Sequence, residues 1–332
     1  MATETMRAMV ITRYGPPEVL REERLPIPAP SPGHVVVRVR AIGLNHAEVY
    51  MRKGLWGEVA RVTGIECAGE VHADGDGRLP RGARVVALVG GMGRSIDGSY
   101  AEYVRVPASN VVPIATSLSW EELAAIPEVY ATAWTCLHGQ LRIGRGEALL
   151  VRGGTSALGQ AAVNLARDAG ARVLATTRAP DRFALLERLG AEPVIDGGEL
   201  APELRRRGRA VDAVLELVGA RTLVDSLACA RPGGGRVCLA GFLGGLGPVP
   251  SFDPLLHMPS GVQLGFFASA FAYGTPAAPL SDVPLQTIVD RAQAGVYRAR
   301  PVRVFRFEEL AEAHRLMESS GAGGKIVATV AA

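Results

Sequence analysis

The residues best suited to chemistry lie in VRGGTSALGQ, at 151–160, and in the strand-like run some ten residues beyond it. Gly154, Ser156 and Gly159 take the three positions of a G-x-G-x-x-G turn, with serine in the middle. Such a turn needs its first glycine to bend sharply and its third to let a helix pack on a strand. Its middle residue must be small, so that a pyrophosphate reaches the backbone N–H groups at a helix start. Serine obstructs little there, and its hydroxyl is a donor for a phosphate oxygen. Gly154, Thr155, Ser156, Ala157, Leu158 and Gly159 are therefore candidate phosphate contacts. The strand-like run ends in ATTR, so that Arg178 stands where an acid would hold the ribose 2′-hydroxyl of NAD. Thr177, Arg178 and Arg182 offer hydroxyl and positive charge to a 2′-phosphate, which points to NADPH; Asp181 keeps NAD open if the turn folds back.

Elements of two textures position these residues. From Arg7 to about residue 115 the chain reads as short strands broken by Gly and Pro, among them HVVVRVRAIGL, ECAGEVHA and SYAEYVRVP, which predicts a β-rich, barrel-like unit. Ser119 followed by Glu122 is a capping-box signature for a helical layer. Strands and helices then alternate through EALLVRGG, RVLATTR, EPVIDG, AVDAVLELVG, RVCLAGF and VQLGFFAS. Continuously apolar strands in βα units predict a parallel, doubly wound sheet covered on both faces. The tail, ending in GKIVATV, is expected to return to the first unit, leaving the nucleotide domain as an insert.

Bulk properties bound the possibilities. At 332 residues two domains are expected, and 40 Gly with 22 Pro are too few for a low-complexity chain. A net charge of +3, with its one dense basic cluster LRRRGR free of interleaved aromatics, reads as a solvated helix end and not a nucleic-acid surface. Four cysteines form no C-x-x-C pair, as expected of reduced thiols in a cytoplasm. The first residues lack the apolar core of a signal peptide, and no run of about 18 apolar residues would span a bilayer.

With AIGLNHAEVYMRKG (41–54), GIECAGEV (64–71), GSYAEYVRVP (98–107), PEVYATAW (127–134), the glycine turn, DAVLELVG (212–219), LAGF (239–242) and GKIV (324–327), the chain resembles the medium-chain dehydrogenase/reductases, most closely their zinc-independent quinone oxidoreductase branch. The resemblance implies an α/β protein: a GroES-like β-rich catalytic domain (1–124 and 270–332) plus a doubly wound, Rossmann nucleotide-binding domain (125–269). It further implies cofactor contacts at Asn45, Thr132, Val218, Gly219, Gly241, Phe242, Phe267, Ala268 and Lys325, although a terminal-strand lysine also reads as solvent-facing. A homodimer formed through the VQLGFFAS edge strand is expected, and a quinone or enone as substrate.

The superfamily's alcohol dehydrogenases hold a catalytic zinc at positions that here are Asn45, Ile65 and Glu128. Isoleucine cannot ligate and an amide oxygen is a poor zinc donor, so no catalytic zinc is expected. A substitute cluster of His46, Glu66, Cys67 and Glu128 has nothing in the sequence to fix it in tetrahedral reach. Asn45, Tyr50 and Glu128 are the candidate catalytic residues. Tyr50 reads as proton donor or oxyanion partner, or else as an aromatic packed over the cofactor. Glu128 reads as a carboxyl with raised pKa, or else as a hydrogen-bond partner of nearby backbone. His46 reads as a pocket wall, and Phe242, Phe266, Phe267, Phe271 and Tyr273 as room for a flat apolar acceptor or as plain core. The expectation is thus an NADPH-dependent quinone or enone reductase. Its alternatives are a tailoring enoyl reductase, a zinc-type alcohol dehydrogenase and a catalytically silent NADPH-binding protein.

Overall fold

A computed structural model describes residues 4–57, 59–319 and 321–331. The chain divides into two compact units, Met1–Ala131 with Ser269–Ala332, and Thr132–Ala268 between them. The first seam thus falls later in the chain than the boundary at 124/125 drawn from sequence.

The first unit opens with β1 (Thr5–Ile11) and β2 (Leu20–Pro26), which pair antiparallel. It continues through β3 (His34–Leu44), α1 (His46–Arg52), β4 (Glu66–Asp74), β5 (Arg84–Leu88), β6 (Tyr103–Pro107) and β7 (Val111–Pro113). Then come α2 (Trp120–Ala124) and α3 (Pro127–Trp134). Ser119 caps α2 by accepting from the Glu122 amide while the Glu122 carboxylate accepts from the Ser119 amide, the reciprocal pair that the sequence signals. Proline at the first position of α3 cannot continue a helix, which separates α2 from α3.

The second unit holds β8 (Ala148–Arg152), α4 (Ala157–Asp168), β9 (Arg172–Thr177), α5 (Phe183–Leu189), β10 (Glu192–Ile195), α6 (Ala201–Arg206), β11 (Ala213–Glu216), α7 (Leu223–Cys229), β12 (Arg236–Leu239), α8 (Pro254–His257) and β13 (Gln263–Phe266). Its strands run parallel in the order β10-β9-β8-β11-β12-β13. The order reverses at β8, and ligands of such sheets bind at that switch point, outside the carboxyl ends of the strands. Every residue of β8 and β11 is buried, as a central strand covered on both faces requires. On the edge strand β13, Leu264 and Phe266 are exposed by 38% and 58%.

The chain returns to the first unit with α9 (Ser269–Ala272), α10 (Leu285–Gln293), β14 (Arg303–Arg306), α11 (Leu310–Glu318) and β15 (Ile326–Thr329). β15 inserts between β14 and β3 in a sheet ordered β14-β15-β3-β4-β5-β7, with β6 also on β3. The core of this unit gathers Val37, Ile42, Val85 and Tyr100 with Phe305, Leu310 and Ile326 from the returning segment. In the second unit, Leu150, Val214 and Val237 of the sheet pack with Leu204 and Leu227 of the helices.

A buried polar chain fastens α1 to α11. The Arg52 guanidinium, wholly buried, pairs with Glu318 and donates from Nε to His314 Nδ1 at 3.2 Å. His314 Nδ1 is therefore the unprotonated nitrogen, and Nε2–H faces the Tyr100 hydroxyl at 2.9 Å. Burial first of all, and then the positive charge of Arg52, lowers the His314 pKa to about 3 from 6.5. An unfolded histidine takes up a proton that the folded one refuses. The stability contributed by neutral His314 is thus complete above pH 6.5 and lost as pH falls towards 3. Urea titrations across that range are expected to show a slope from this group of at most about 1.4 kcal/mol per pH unit, which His314→Gln flattens.

Candidate functional site

Asn45 lies between β3 and α1, where the chain turns from strand to helix. Its amide N–H donates to Glu48 Oε2 at 2.6 Å, and the Ile65 N–H donates to Glu48 Oε1 at 3.2 Å. Glu48 is wholly buried, and burial first of all pushes its carboxyl up to about 8, with Glu66 adding to the rise and Lys325 and the two N–H donors opposing it. Glu66 opens β4, also wholly buried, and its side chain fits because residue 43 is glycine: a Cβ there would lie 2.4 Å from Glu66 Oε1.

Lys325, just before β15, sends its ammonium into this cluster. Its Nζ donates to Glu66 Oε1 at 2.5 Å and to Asn45 Oδ1 at 2.6 Å, with the residue 6% exposed. The solvent-facing reading of Lys325 is thus corrected: a fully buried carboxylate requires a counter-charge, and the strand start delivers one. The contact also fixes the Asn45 carboxamide, whose Nδ2 must then be the donor to Glu66 Oε1 at 2.9 Å. Glu128, at the start of α3, joins from the other side, its backbone N–H donating to Glu66 Oε2 at 2.8 Å. The Glu128 carboxylate accepts from the Ser269 hydroxyl at 2.7 Å. Asn45 and Glu128 therefore converge on the Glu66–Lys325 pair, while Ile65 bonds Glu48 through its backbone N–H.

Beside this cluster, α1 carries Tyr50, 8% exposed, with His46 edge-on at 4.9 Å and Trp56 parallel at 6.4 Å between ring centroids. Burial, and then the charge of Lys53, hold His46 below the usual histidine pKa, so at neutral pH it is an uncharged wall. Phe271 stacks on Trp56 at 5.7 Å, and the Arg94 guanidinium lies 3.8 Å over the Phe271 ring. Phe271 remains 53% exposed beside these partners, whereas Tyr273 is buried core.

In the second unit the glycine turn joins β8 to α4. A Cβ on Gly154 would lie 2.7 Å from that of Ala175, and one on Gly159 would lie 2.5 Å from the Gly153 carbonyl, so both positions require glycine. Ser156 has a different duty from the one read in the sequence. Its hydroxyl donates to the Gly153 carbonyl at 2.8 Å and accepts from the Gly159 N–H at 3.0 Å, capping α4 instead of pointing to a phosphate. Thr155 is held by Gln160, and Ala157 and Leu158 start the helix. Thr177 is buried with its hydroxyl spent on the Ala179 backbone, whereas Arg178 is exposed and Arg182 half-buried. Thr132 is buried. The loops after β11 and β12 are laced together, Leu243 N–H to Leu217 at 3.0 Å and Gly244 N–H to Val218 at 2.8 Å, which places Val218, Gly219, Gly241 and Phe242 at the carboxyl ends of these two interior strands. Phe242 meets Phe266 edge to face at 6.2 Å, Phe267 is buried and Ala268 half-buried.

Sequence reasoning passed over Glu48, the pairing of Glu66 with Lys325, and Arg152 at the end of β8. Asn45-x-x-Glu48 ahead of an apolar helix was a legible capping pattern. A lone arginine in the buried run ALLVR was a signal of the same kind.

Two family models match the chain: one described as alcohol dehydrogenase GroES-like domain over residues 31–116, and one described as zinc-binding dehydrogenase over residues 189–327. Quinone oxidoreductase of Rattus norvegicus is 27% identical over 344 residues, covering 98% of this chain and 99% of that protein. Phthioceranic/hydroxyphthioceranic acid synthase of Mycobacterium bovis is 37% identical over 197 residues, which are 57% of this chain and only 9% of the length of that synthase. Among solved structures, an NAD-dependent alcohol dehydrogenase is 30% identical with a TM-score of 0.84, covering 98% of this chain and 100% of its own. A mycobacterial protein complexed with NADPH is 28% identical with a TM-score of 0.86, covering 98% and 99%. The chain is an oxidoreductase of the medium-chain dehydrogenase/reductase superfamily. Within that superfamily it belongs to the quinone oxidoreductase-like branch.

The description of the second family model raises the question of zinc. At the three positions where the alcohol dehydrogenases place ligands, this chain has an amide already bonded to an ammonium, an isoleucine, and a glutamate bonded to Ser269. Lys325 brings a positive charge to Asn45, and the donor set does not fit a catalytic zinc. Lys325→Met, which leaves Glu66 buried without its counter-ion, is expected to lower unfolding stability by about 3–5 kcal/mol. Adding Glu66→Gln recovers most of that loss, as read by urea denaturation.

Proposed function

We propose that this chain is a zinc-independent, NADPH-dependent reductase that delivers a hydride to a quinone or an α,β-unsaturated carbonyl compound. The observation that carries the reading is the make-up of the family's metal positions: Asn45 is committed to the buried Lys325 ammonium, residue 65 is an isoleucine and the Glu128 carboxylate is taken by Ser269, a donor set that does not fit a zinc to deprotonate an alcohol. Reduction of an activated acceptor needs none. The rat quinone oxidoreductase and the mycobacterial NADPH complex are relatives consistent with this reading.

When bound, the cofactor supplies the hydride and so both electrons. The residues of this chain do the rest. The turn around Gly154 receives the pyrophosphate at the start of α4, and Arg178 and Arg182 receive the 2′-phosphate. Lys325 and Glu66 hold the Asn45 carboxamide in one orientation. Tyr50 hydrogen-bonds the acceptor oxygen and gives it a proton, which water replaces; neutral His46 packs against Tyr50 and lacks the acidic proton of an imidazolium.

The match to a large synthase favours a second reading, an enoyl reductase acting on a carrier-bound thioester, which shares the same hydride chemistry. Loss of reduced-nicotinamide absorbance against a panel of quinones, enones and enoyl thioesters, with chelator present, separates the two. Turnover of quinones or enones is expected; turnover of the thioesters alone selects the second reading, and no turnover with any acceptor refutes both. Tyr50→Phe should lower kcat about a hundredfold with KM little changed.

We also propose that the protein is a cytoplasmic homodimer that binds neither nucleic acid nor membrane. Among the described residues no helix is long and apolar enough to cross a membrane. The exposed apolar edge of β13 is a liability unless covered, and a second copy covers it by pairing the same strand. Light scattering is expected to give twice the mass of one chain, and Phe266→Glu to give single chains.

A further inference from the structure

Arg152 ends β8 at the point where the sheet order reverses, and it is wholly buried. Its Nε and Nη2 form two parallel bonds to Asp196, each 2.9 Å, and Nη2 also donates to the Gly198 carbonyl at 2.8 Å. Nη1 donates to Asp225 at 2.7 Å, and to the Thr222 carbonyl and Ser226 hydroxyl at 3.2 Å each. Asp225 in turn accepts from the Leu200 and Ala201 amides at the head of α6. Glu216, at the end of β11, accepts from Ser226 and from the Val218 and Gly219 amides.

The same network reaches the glycine turn and the end of β9. Thr176 donates from its hydroxyl to Asp196 at 3.3 Å and accepts there from the Gly153 N–H at 3.0 Å. The Asp196 amide donates to the Thr177 carbonyl at 2.9 Å, so Asp196 flanks the strand end that leads into Arg178. Burial works against both charges of the Arg152–Asp196 pair, yet their mutual bonding prevails: the Arg152 pKa is raised and the Asp196 pKa lowered, so both are ionised at neutral pH.

A buried ion network of this size is seldom worth more to stability than apolar residues of the same volume. Its position suggests what it does instead. We propose that Arg152 is a positioning residue for the phosphorylated ribose of the cofactor: by binding both oxygens of Asp196 it withholds a carboxylate from the edge where Arg178 stands, and through Thr176 it fixes the turn that receives the pyrophosphate. The proposal rests on the reading of the cofactor as NADPH. An Asp196 carboxylate left without Arg152 would repel a 2′-phosphate while leaving the 2′-hydroxyl of NADH untouched.

Dissociation constants for NADPH and NADH, measured by fluorescence titration, test it through their ratio, because loss of scaffold alone weakens both cofactors alike. Arg152→Met is expected to shift the ratio against NADPH about tenfold. Adding Asp196→Asn is expected to bring it back to within about twofold of wild type. Should Arg152→Met fail to fold, Arg152→Lys, which keeps the charge but cannot span both Asp196 oxygens, is expected to shift the ratio against NADPH by at least about threefold. A ratio unmoved in the folded Arg152 variant, or unrestored in the double variant, overturns the proposal. Failure of the NADPH reading is separate: it shows in wild type, as tighter binding of NADH.

Discussion

A lysine ammonium and a glutamate carboxylate, both removed from water, meet at 2.5 Å in the first unit, and the local structure is arranged to make that meeting tolerable. Two isolated charges cost several kcal/mol each to bury, and their attraction offsets this only if the remaining lone pairs and protons are also satisfied. Here they are: Glu66 takes the ammonium, the Asn45 amide and the Glu128 backbone N–H, and Lys325 shares itself with Asn45. Gly43 clears the space, and Glu48 holds the neighbouring chain segments through their amides. The functional consequence is geometric. The Asn45 carboxamide cannot flip, since one end faces a cation and the other an anion.

The second unit repeats the strategy with different partners. Arg152 and Asp196 stand at the carboxyl ends of parallel strands, where backbone chains diverge and side chains must fill the gap. Both ion networks thus lie at the ends of strands, where a loop meets the sheet. A hydrophobic filler at either place would pack, but it would not specify the orientation of the loop, because dispersion contacts carry no direction.

Much of the fold could be read from the sequence because it rests on periodicity and on residues with narrow conformational use. The Ser119-x-x-Glu122 cap, the continuously apolar EALLV and AVLEL strands and the glycines of the turn each point one way only. The site was less legible. Asn45, Tyr50 and Glu128 could be named, but their partners arrive from far along the chain, and no local pattern announces that Lys325 will point inward. Ser156 shows the complementary difficulty: a hydroxyl at a helix start can face a phosphate or bind its own helix, and only the backbone geometry selects the second. Among the aromatic residues read as room for an acceptor or as core, Tyr273 is buried while Phe271 is exposed, a difference that composition alone does not show.

The separation of 259 positions in the chain between Glu66 and Lys325 also imposes an order on biosynthesis. At roughly 5–20 residues per second, a ribosome completes the carboxylate's surroundings some tens of seconds before the matching ammonium emerges. Until then Glu66 has no counter-ion, and β15 has yet to take its place beside β3. The sheet of the first unit is thus completed only after the entire nucleotide domain has been translated.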